Sequence, residues 1–287
     1  MTDKDARNSL AVTAAINYVR NPPPAGSDKL LFVTENEDAS TMQCLPGRQM
    51  RIHNGRSLSP SLDREGFRLL SHQSAISDFD GIEFDASANA IYMQEIEAIV
   101  REATGAAQTI QLAGVKQRFS ETATEALAPL LNARPARYPH ADNTDTSSRE
   151  QIEFFVEHVA RLKQQDFSRC ALFNLWRCVS PPPQDCPLAV CDARSVTPED
   201  ELAVTAVTQV HGIGEVRHDT TSLTYNPNHN WYYFPDMQAD EVILFKTHDT
   251  DSSRACRVAH TAFDDPGCPA GTHPRASVEA RILAVFD

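Results

Sequence analysis

The sequence has no run of about eighteen apolar residues anywhere in its 287 positions, so no segment reads as a membrane-spanning helix. Positive charge is scarce. Lys and Arg number 26 against 39 Asp and Glu, a formal net charge of −13. With no basic block to neutralise phosphates, neither nucleic acid nor an anionic membrane surface is an expected partner. Met1-Thr2-Asp3-Lys4-Asp5 carries no apolar leader-like stretch, so a cytoplasmic location is expected. None of the seven cysteines stands in C-x-x-C spacing with another, and no Cys/His group has zinc-finger spacing. Free thiols in a reducing compartment follow. The Gly-x-Ser-x-Gly elbow of serine hydrolases is missing. Gly212-Ile213-Gly214 lacks the strand–turn–helix setting that nucleotide binding needs. Internal repeats and low-complexity tracts are absent too, which excludes solenoids and repeat arrays.

What remains is an ordinary globular composition, 41% hydrophobic, in a length that one large domain accommodates. Short strand-like runs predict strands over residues 29–34, 49–54, 108–112, 170–179 and 187–196, and a turn followed by a short strand within 62–71. The final third is β-rich, with strands expected at 223–226, 231–234, 241–246 and 275–286, separated by turn clusters such as Asn226-Pro227-Asn228 and Asp264-Asp265-Pro266-Gly267. Helices are predicted over 11–19, over 89–104 with Gly105 as C-cap, and after Ser147-Ser148-Arg149-Glu150, where Ile152, Phe155, Val156, Val159 and Leu162 form a stripe. Thr197-Pro198-Glu199-Asp200 reads as a helix start, which predicts a short helix over 201–210. Residues 122–132 read as helical or irregular. Many short strands with a few outer helices predict a mainly β fold, a double-sheet jelly roll.

One stretch carries chemistry. In Arg137-Tyr138-Pro139-His140-Ala141-Asp142-Asn143-Thr144, His140 and Asp142 stand two apart, so on a strand both leave the same face. An imidazole beside a carboxylate makes two-thirds of a 2-His-1-carboxylate triad, which binds non-haem Fe(II) and leaves positions open for oxygen and a co-substrate. About one His-x-Asp is expected by chance in such a composition, so the doublet depends on its context. His260 is the candidate third ligand, with His248 and His229 as rivals.

Several stretches, in order, resemble a family of fungal and bacterial secondary-metabolite oxygenases, including gibberellin-desaturase-like and cephamycin-methoxylation-related hydroxylases. The resemblance rests on residues 62–67, the His140-x-Asp142 doublet, Asn174-Leu175-Trp176-Arg177, and the distinctive Pro187-Leu188-Ala189-Val190-Cys191-Asp192-Ala193-Arg194-Ser195-Val196. It continues in Trp231-Tyr232-Tyr233-Phe234, and through 240–246, 260–266 and 274–281. It covers roughly residues 60–287. It implies an Fe(II)- and 2-oxoglutarate-dependent dioxygenase on a cupin-like, double-stranded β-helix core, with Fe(II), 2-oxoglutarate and O2 as cofactors, acting on a small, largely apolar natural-product intermediate by hydroxylation, desaturation or rearrangement. An oxygenase domain over 61–287 with an N-terminal extension, 1–60, packed on it is the expected organisation. His140, Asp142 and His260 are then the iron ligands.

Under the same resemblance Arg275 anchors the distal carboxylate of 2-oxoglutarate, with Ser277 of the same parity adding one bond. Arg281 shares that parity and is the rival anchor, and either arginine could instead form an ion pair with Glu279. Asn174, Arg177, Trp231 and Tyr233 are candidate pocket residues. Asn174 and Arg177 lie three apart, so at most one of them faces inward. The aromatic pair serves equally well as barrel core. A homodimer or heterodimer is compatible with the sequence. Two other readings stay open: a cupin-like isomerase or hydrolase using the triad with another metal, and a non-catalytic binding barrel.

Overall fold

The structure, a computed structural model, describes residues 11–21, 30–33, 40–121, 123, 134–210 and 214–287. Fifteen strands occur among them: β1 (Val12–Ile16), β2 (Leu30–Val33), β3 (Arg48–Asn54), β4 (Phe67–Ser71), β5 (Gln108–Gln111), β6 (Lys116–Phe119), β7 (His140–Ala141), β8 (Arg169–Cys178), β9 (Leu188–Cys191), β10 (Glu201–Val210), β11 (Gly214–Leu223), β12 (Trp231–Tyr233), β13 (Glu241–Asp249), β14 (His260–Ala262) and β15 (Ala276–Phe286). They form a nine-stranded sheet ordered β1-β3-β12-β9-β14-β7-β11-β10-β2 and a smaller sheet ordered β4-β13-β8-β15-β5, with β6 also on β15. The two sheets face each other as the expected jelly roll.

Period-two alternation sorts the smaller sheet. On one face, Phe173 and Leu175 of β8, Val242 and Leu244 of β13, and Val278, Ala280 and Ile282 of β15 pack outward in one apolar cluster. Helix α1 (Ala86–Thr104) covers that face with Tyr92, Met93, Ile96, Ile99 and Val100. Asp85 caps its first turn by accepting from the Ser87 and Ala88 amides, and Gly105 ends it in the left-handed region at φ 73°, as capping chemistry favours. Ile91 lies off the buried stripe and is exposed. On the other face, Trp176, Ile243 and Phe245 meet Leu188 and Val190 of the larger sheet. That inner layer surrounds the site.

Helix α2 (Asp145–Phe154) starts at Thr144 through a capping box with Ser147 and passes into a π-helical stretch, Phe155–Ala160. Ile152 and Val156 are buried, whereas Val159 is exposed. The irregular turn breaks the 3.6-residue stripe that the sequence displays.

Two predicted helices are strands. Residues 201–210 form β10, paired with β11 at ten successive positions and with β2 on its other side. Residues 12–16 form β1, paired with β3. The expected strand over 187–196 stops at Cys191, where Asp192 caps a short 3-10 turn and accepts two bonds from the Arg194 side chain at 3.0 and 2.7 Å. Of residues 122–132, expected to be helical or irregular, all but 123 lie outside the described residues. The first sixty residues contribute β1, β2 and β3, on both edges of the larger sheet. All seven cysteines are free thiols.

Candidate metal centre

Strand pairing assembles the site. In the larger sheet β14 lies between β7 and β9, with His260 directly opposite His140. Their rings sit 4.4 Å apart, centroid to centroid. Asp142, just past the end of β7, turns Oδ1 toward both rings, 3.6 Å from His140 Nε2 and 3.8 Å from His260 Nε2. Three ligand atoms therefore converge on one point.

The surroundings fix which atoms are offered. His140 Nδ1 lies 3.0 Å from the Tyr138 carbonyl, and His260 Nδ1 lies 3.3 Å from the Val258 carbonyl. A carbonyl only accepts, so each Nδ1 carries the proton and each Nε2 keeps a lone pair for a metal. Burial, then the neighbouring His260, push His140 down to about 4, which keeps it neutral near pH 7. Asp142 is divided in the same way. Its Oδ2 accepts from Asn174 Nδ2 at 2.7 Å and from Arg281 Nε at 2.9 Å, which leaves Oδ1 to face the imidazoles. Burial alone would raise this carboxyl, but Arg281, the two imidazoles and the Asn174 bond hold it well below the usual range. The set is a neutral, neutral and anionic donor group, which fits a divalent cation.

The cavity around the triad is walled by Trp176, Leu188 and Phe245, and Arg118, Arg275, Glu279 and Arg281 also line it. The arginines of equal parity differ. Arg281 is tied to Asp142 and, at 3.2 Å, to Glu279. Arg275 is 1% exposed, lies over the Trp176 ring, and has no hydrogen-bond partner for Nε or Nη2 among the described residues. Leaving two buried guanidinium nitrogens without acceptors is costly, and their chemistry fits an anion. This is the fit expected of 2-oxoglutarate. Ser277 is buried beside Arg118, its Oγ at 3.5 Å from the Arg118 carbonyl.

Other sequence candidates go elsewhere, for identifiable reasons. Asn174 faces inward, and Arg177, of opposite parity on β8, points out to α1. There it donates to the Tyr92 hydroxyl at 3.0 Å and to the His72 and Ala239 carbonyls. Trp231 donates to the Tyr18 hydroxyl at 2.8 Å, and Tyr233 stacks edge-on against Phe263. Arg177 and Trp231 find hydrogen-bond partners in these core contacts, Tyr233 packs in the core, and none of the three is among the residues that line the cavity around the triad. His229, a rival third ligand, is held between Tyr18 and Asp200. His248 lies in a separate cluster with Asp145 and Cys256. Sequence reasoning passed over Phe245 and Arg118. Phe245 packs 4.8 Å from the His260 ring, and its only signal was position within a predicted strand.

Asn174 is the residue whose loss separates positioning from ligation. Asn174→Leu removes one of two donors on Asp142 Oδ2 and is expected to weaken Fe(II) binding by about 10–100-fold, read by competition with a chromophoric chelator. Unchanged affinity would mean that the carboxylate orientation does not depend on this bond.

A family model described as "Oxidoreductase/YMDC permease-like domain" matches residues 16–286. No helix among the described residues is long and apolar enough to cross a membrane. The chain is 29% identical to the hydroxylase/desaturase efuI of Hormonema carpetanum, across 98% of this chain and 97% of that protein. It is 28% identical to the Fe(II)/2-oxoglutarate-dependent dioxygenase nvfI of Aspergillus novofumigatus, across 82% of each chain. The solved structure of the iron and alpha-ketoglutarate-dependent endoperoxidase NvfI superposes with a TM-score of 0.79 over 96% of this chain and 98% of that one, at 24% identity, a likeness of fold.

Proposed function

The chain belongs to the oxidoreductase/YMDC permease-like family, and on that premise we propose that it acts as an Fe(II)- and 2-oxoglutarate-dependent dioxygenase through the site built on Asp142. Its substrate is a small natural-product intermediate of secondary metabolism. His140, Asp142 and His260 hold Fe(II), and Arg275 binds the distal carboxylate of 2-oxoglutarate. With both bound, the centre supplies oxygen activation coupled to oxidative decarboxylation, which yields succinate and carbon dioxide.

The protein's own part is placement and exclusion. Asn174 and Arg281 hold Oδ2 of Asp142, so that one carboxylate oxygen is presented to the metal. The Tyr138 and Val258 carbonyls hold the two imidazoles in the ligating tautomer. Trp176, Leu188 and Phe245 form a dry wall that keeps water from the reacting C–H bond. Ser277 flanks the anchor without a cavity-lining position of its own.

The observation that carries this reading is a pre-oriented His/Asp/His set sharing its cavity with a buried guanidinium whose Nε and Nη2 lack partners. A cupin-like isomerase or hydrolase would use the triad but has no need of that second, anion-seeking group. Succinate release is the test. Protein given Fe(II), 2-oxoglutarate and air is expected to form succinate, to stop on addition of a chelator, and to form none as His140→Ala. Turnover of any substrate without 2-oxoglutarate and oxygen would overturn the reading in favour of the isomerase or hydrolase.

A further inference from the structure

A second group of metal-ligating side chains lies apart from the triad. Asp145 opens α2, His248 stands near the end of β13, and Cys256 lies in the loop that leads to His260. Their ligand atoms all lie within 4.8 Å of one another. They line a cavity of about 780 Å³, together with Ala141 and Ala259, which are chain neighbours of the triad residues. A bulge between Lys246 and His248 produces the arrangement. It leaves Lys246 and Asp249 paired with each other at 2.5 Å and turns His248 toward Cys256, as bulges re-aim a side chain.

The contacts decide between two kinds of chemistry. A Cys–His–Asp relay requires the thiol and the carboxylate on opposite ring nitrogens. Here both meet the same one. His248 Nδ1 is 3.6 Å from Cys256 Sγ and 3.7 Å from Asp145 Oδ1. Such convergence suits a cation. Zn–S near 2.3 Å and Zn–N near 2.0–2.1 Å give a tetrahedral S···N edge of about 3.5 Å, close to the spacing present. A thiolate, a neutral imidazole and a carboxylate favour zinc or a similarly soft divalent ion over magnesium or calcium. Arg257 Nη2 now donates to Asp145 and lies 3.9 Å from Cys256 Sγ, but Nη1 of the same guanidinium holds Glu201 Oε2 and Thr221 Oγ1, each at 3.3 Å, and those partners remain when a cation takes the carboxylate and the thiolate.

We propose that Asp145, His248 and Cys256 form a second divalent-cation site of the zinc class, with a fourth position open to water from the cavity. A cation there clamps the start of α2, three residues after Asp142, to the loop four residues before His260. It thereby braces both ligand-bearing segments from outside the iron centre. The proposal does not depend on the dioxygenase reading.

Cobalt(II) tests it, because this group, unlike the triad, offers sulfur. Metal-free full-length protein titrated with Co(II) is expected to develop a near-ultraviolet thiolate-to-cobalt band that saturates at one ion per chain and is bleached by Zn(II). The band should persist in His140→Ala and vanish in Cys256→Ser. Asp145→Asn, at an exposed carboxylate that the fold does not bury, should weaken Co(II) at least tenfold. No band in the wild type, or a band that survives Cys256→Ser, overturns the proposal. Loss of the band in His140→Ala would contradict two independent sites and overturn it as well.

Discussion

Arg275→Ala raises the 2-oxoglutarate concentration needed for half-saturation by about 30- to 4,000-fold while leaving Fe(II) uptake unchanged. The range converts the roughly 2–5 kcal/mol lost when one partner of a buried, hydrogen-bonded charge pair is removed. Arg275 meets the conditions for the upper part of that range. It is 1% exposed, and Nε and Nη2 have no partner among the described residues. An incoming carboxylate would thus find two parallel donors already desolvated. Arg275→Lys is expected to recover only part of the loss, because an ammonium offers one point of charge where the guanidinium offers a planar fork. Titration calorimetry of Fe(II)-loaded protein with 2-oxoglutarate reads the effect. An Arg275→Ala protein with near-normal affinity would move the anchor to another group.

His260→Ala removes a ligand itself and is expected to lower Fe(II) affinity by more than the about 100-fold that marks the upper end for a lost outer-shell partner. Succinate formation should fall to background. The loss cannot be made good locally. His140 and Asp142 lie on one segment, and the opposite side of the point is supplied through β14, where His260 faces His140 across the ladder. Phe245, beside the missing ring, offers no donor atom. Circular dichroism should be unchanged, since β14 keeps its backbone pairing to β9 at three positions. Retained tight Fe(II) binding would remove His260 from the set.

The chemistry of the site was legible because it is local or periodic. His140-x-Asp142 offers a ligating pair by its spacing, which only the ordered motifs around it lift above chance, and period-two alternation sorts Asn174 from Arg177. Alternation could not choose between Arg275 and Arg281, since both have the same parity. What separates them is long-range. Arg281 lies level with Asn174 on the neighbouring strand, where both reach Asp142, whereas Arg275 sits before β15 begins, against Trp176. The convergence of His260 on His140 is likewise a property of strand pairing across more than a hundred residues, and only the resemblance brought it forward.

The misread elements were those whose local signals point one way and whose partners decide the other. Residues 201–210 follow a proline-bearing helix start and contain Leu and Ala, good helix formers. Yet Val204, Val207 and Val210 with Thr205 and Thr208 suit a pleated surface, and ten pairings to β11 settle it. Trp231 and Tyr233 fall where aromatic residues serve a pocket or a core equally well. Tyr18, two residues past the end of β1, takes the Trp231 indole N–H and draws that residue into the core.

An anaerobic titration tests the central claim most directly. Metal-free protein receives Fe(II) and then 2-oxoglutarate, and the visible metal-to-ligand charge-transfer band of the chelate is recorded beside that of Arg275→Ala. The account predicts a band in the wild type that saturates at one 2-oxoglutarate per chain and, in the variant, appears only at far higher 2-oxoglutarate. Tight Fe(II) uptake with no band at any 2-oxoglutarate concentration would contradict it.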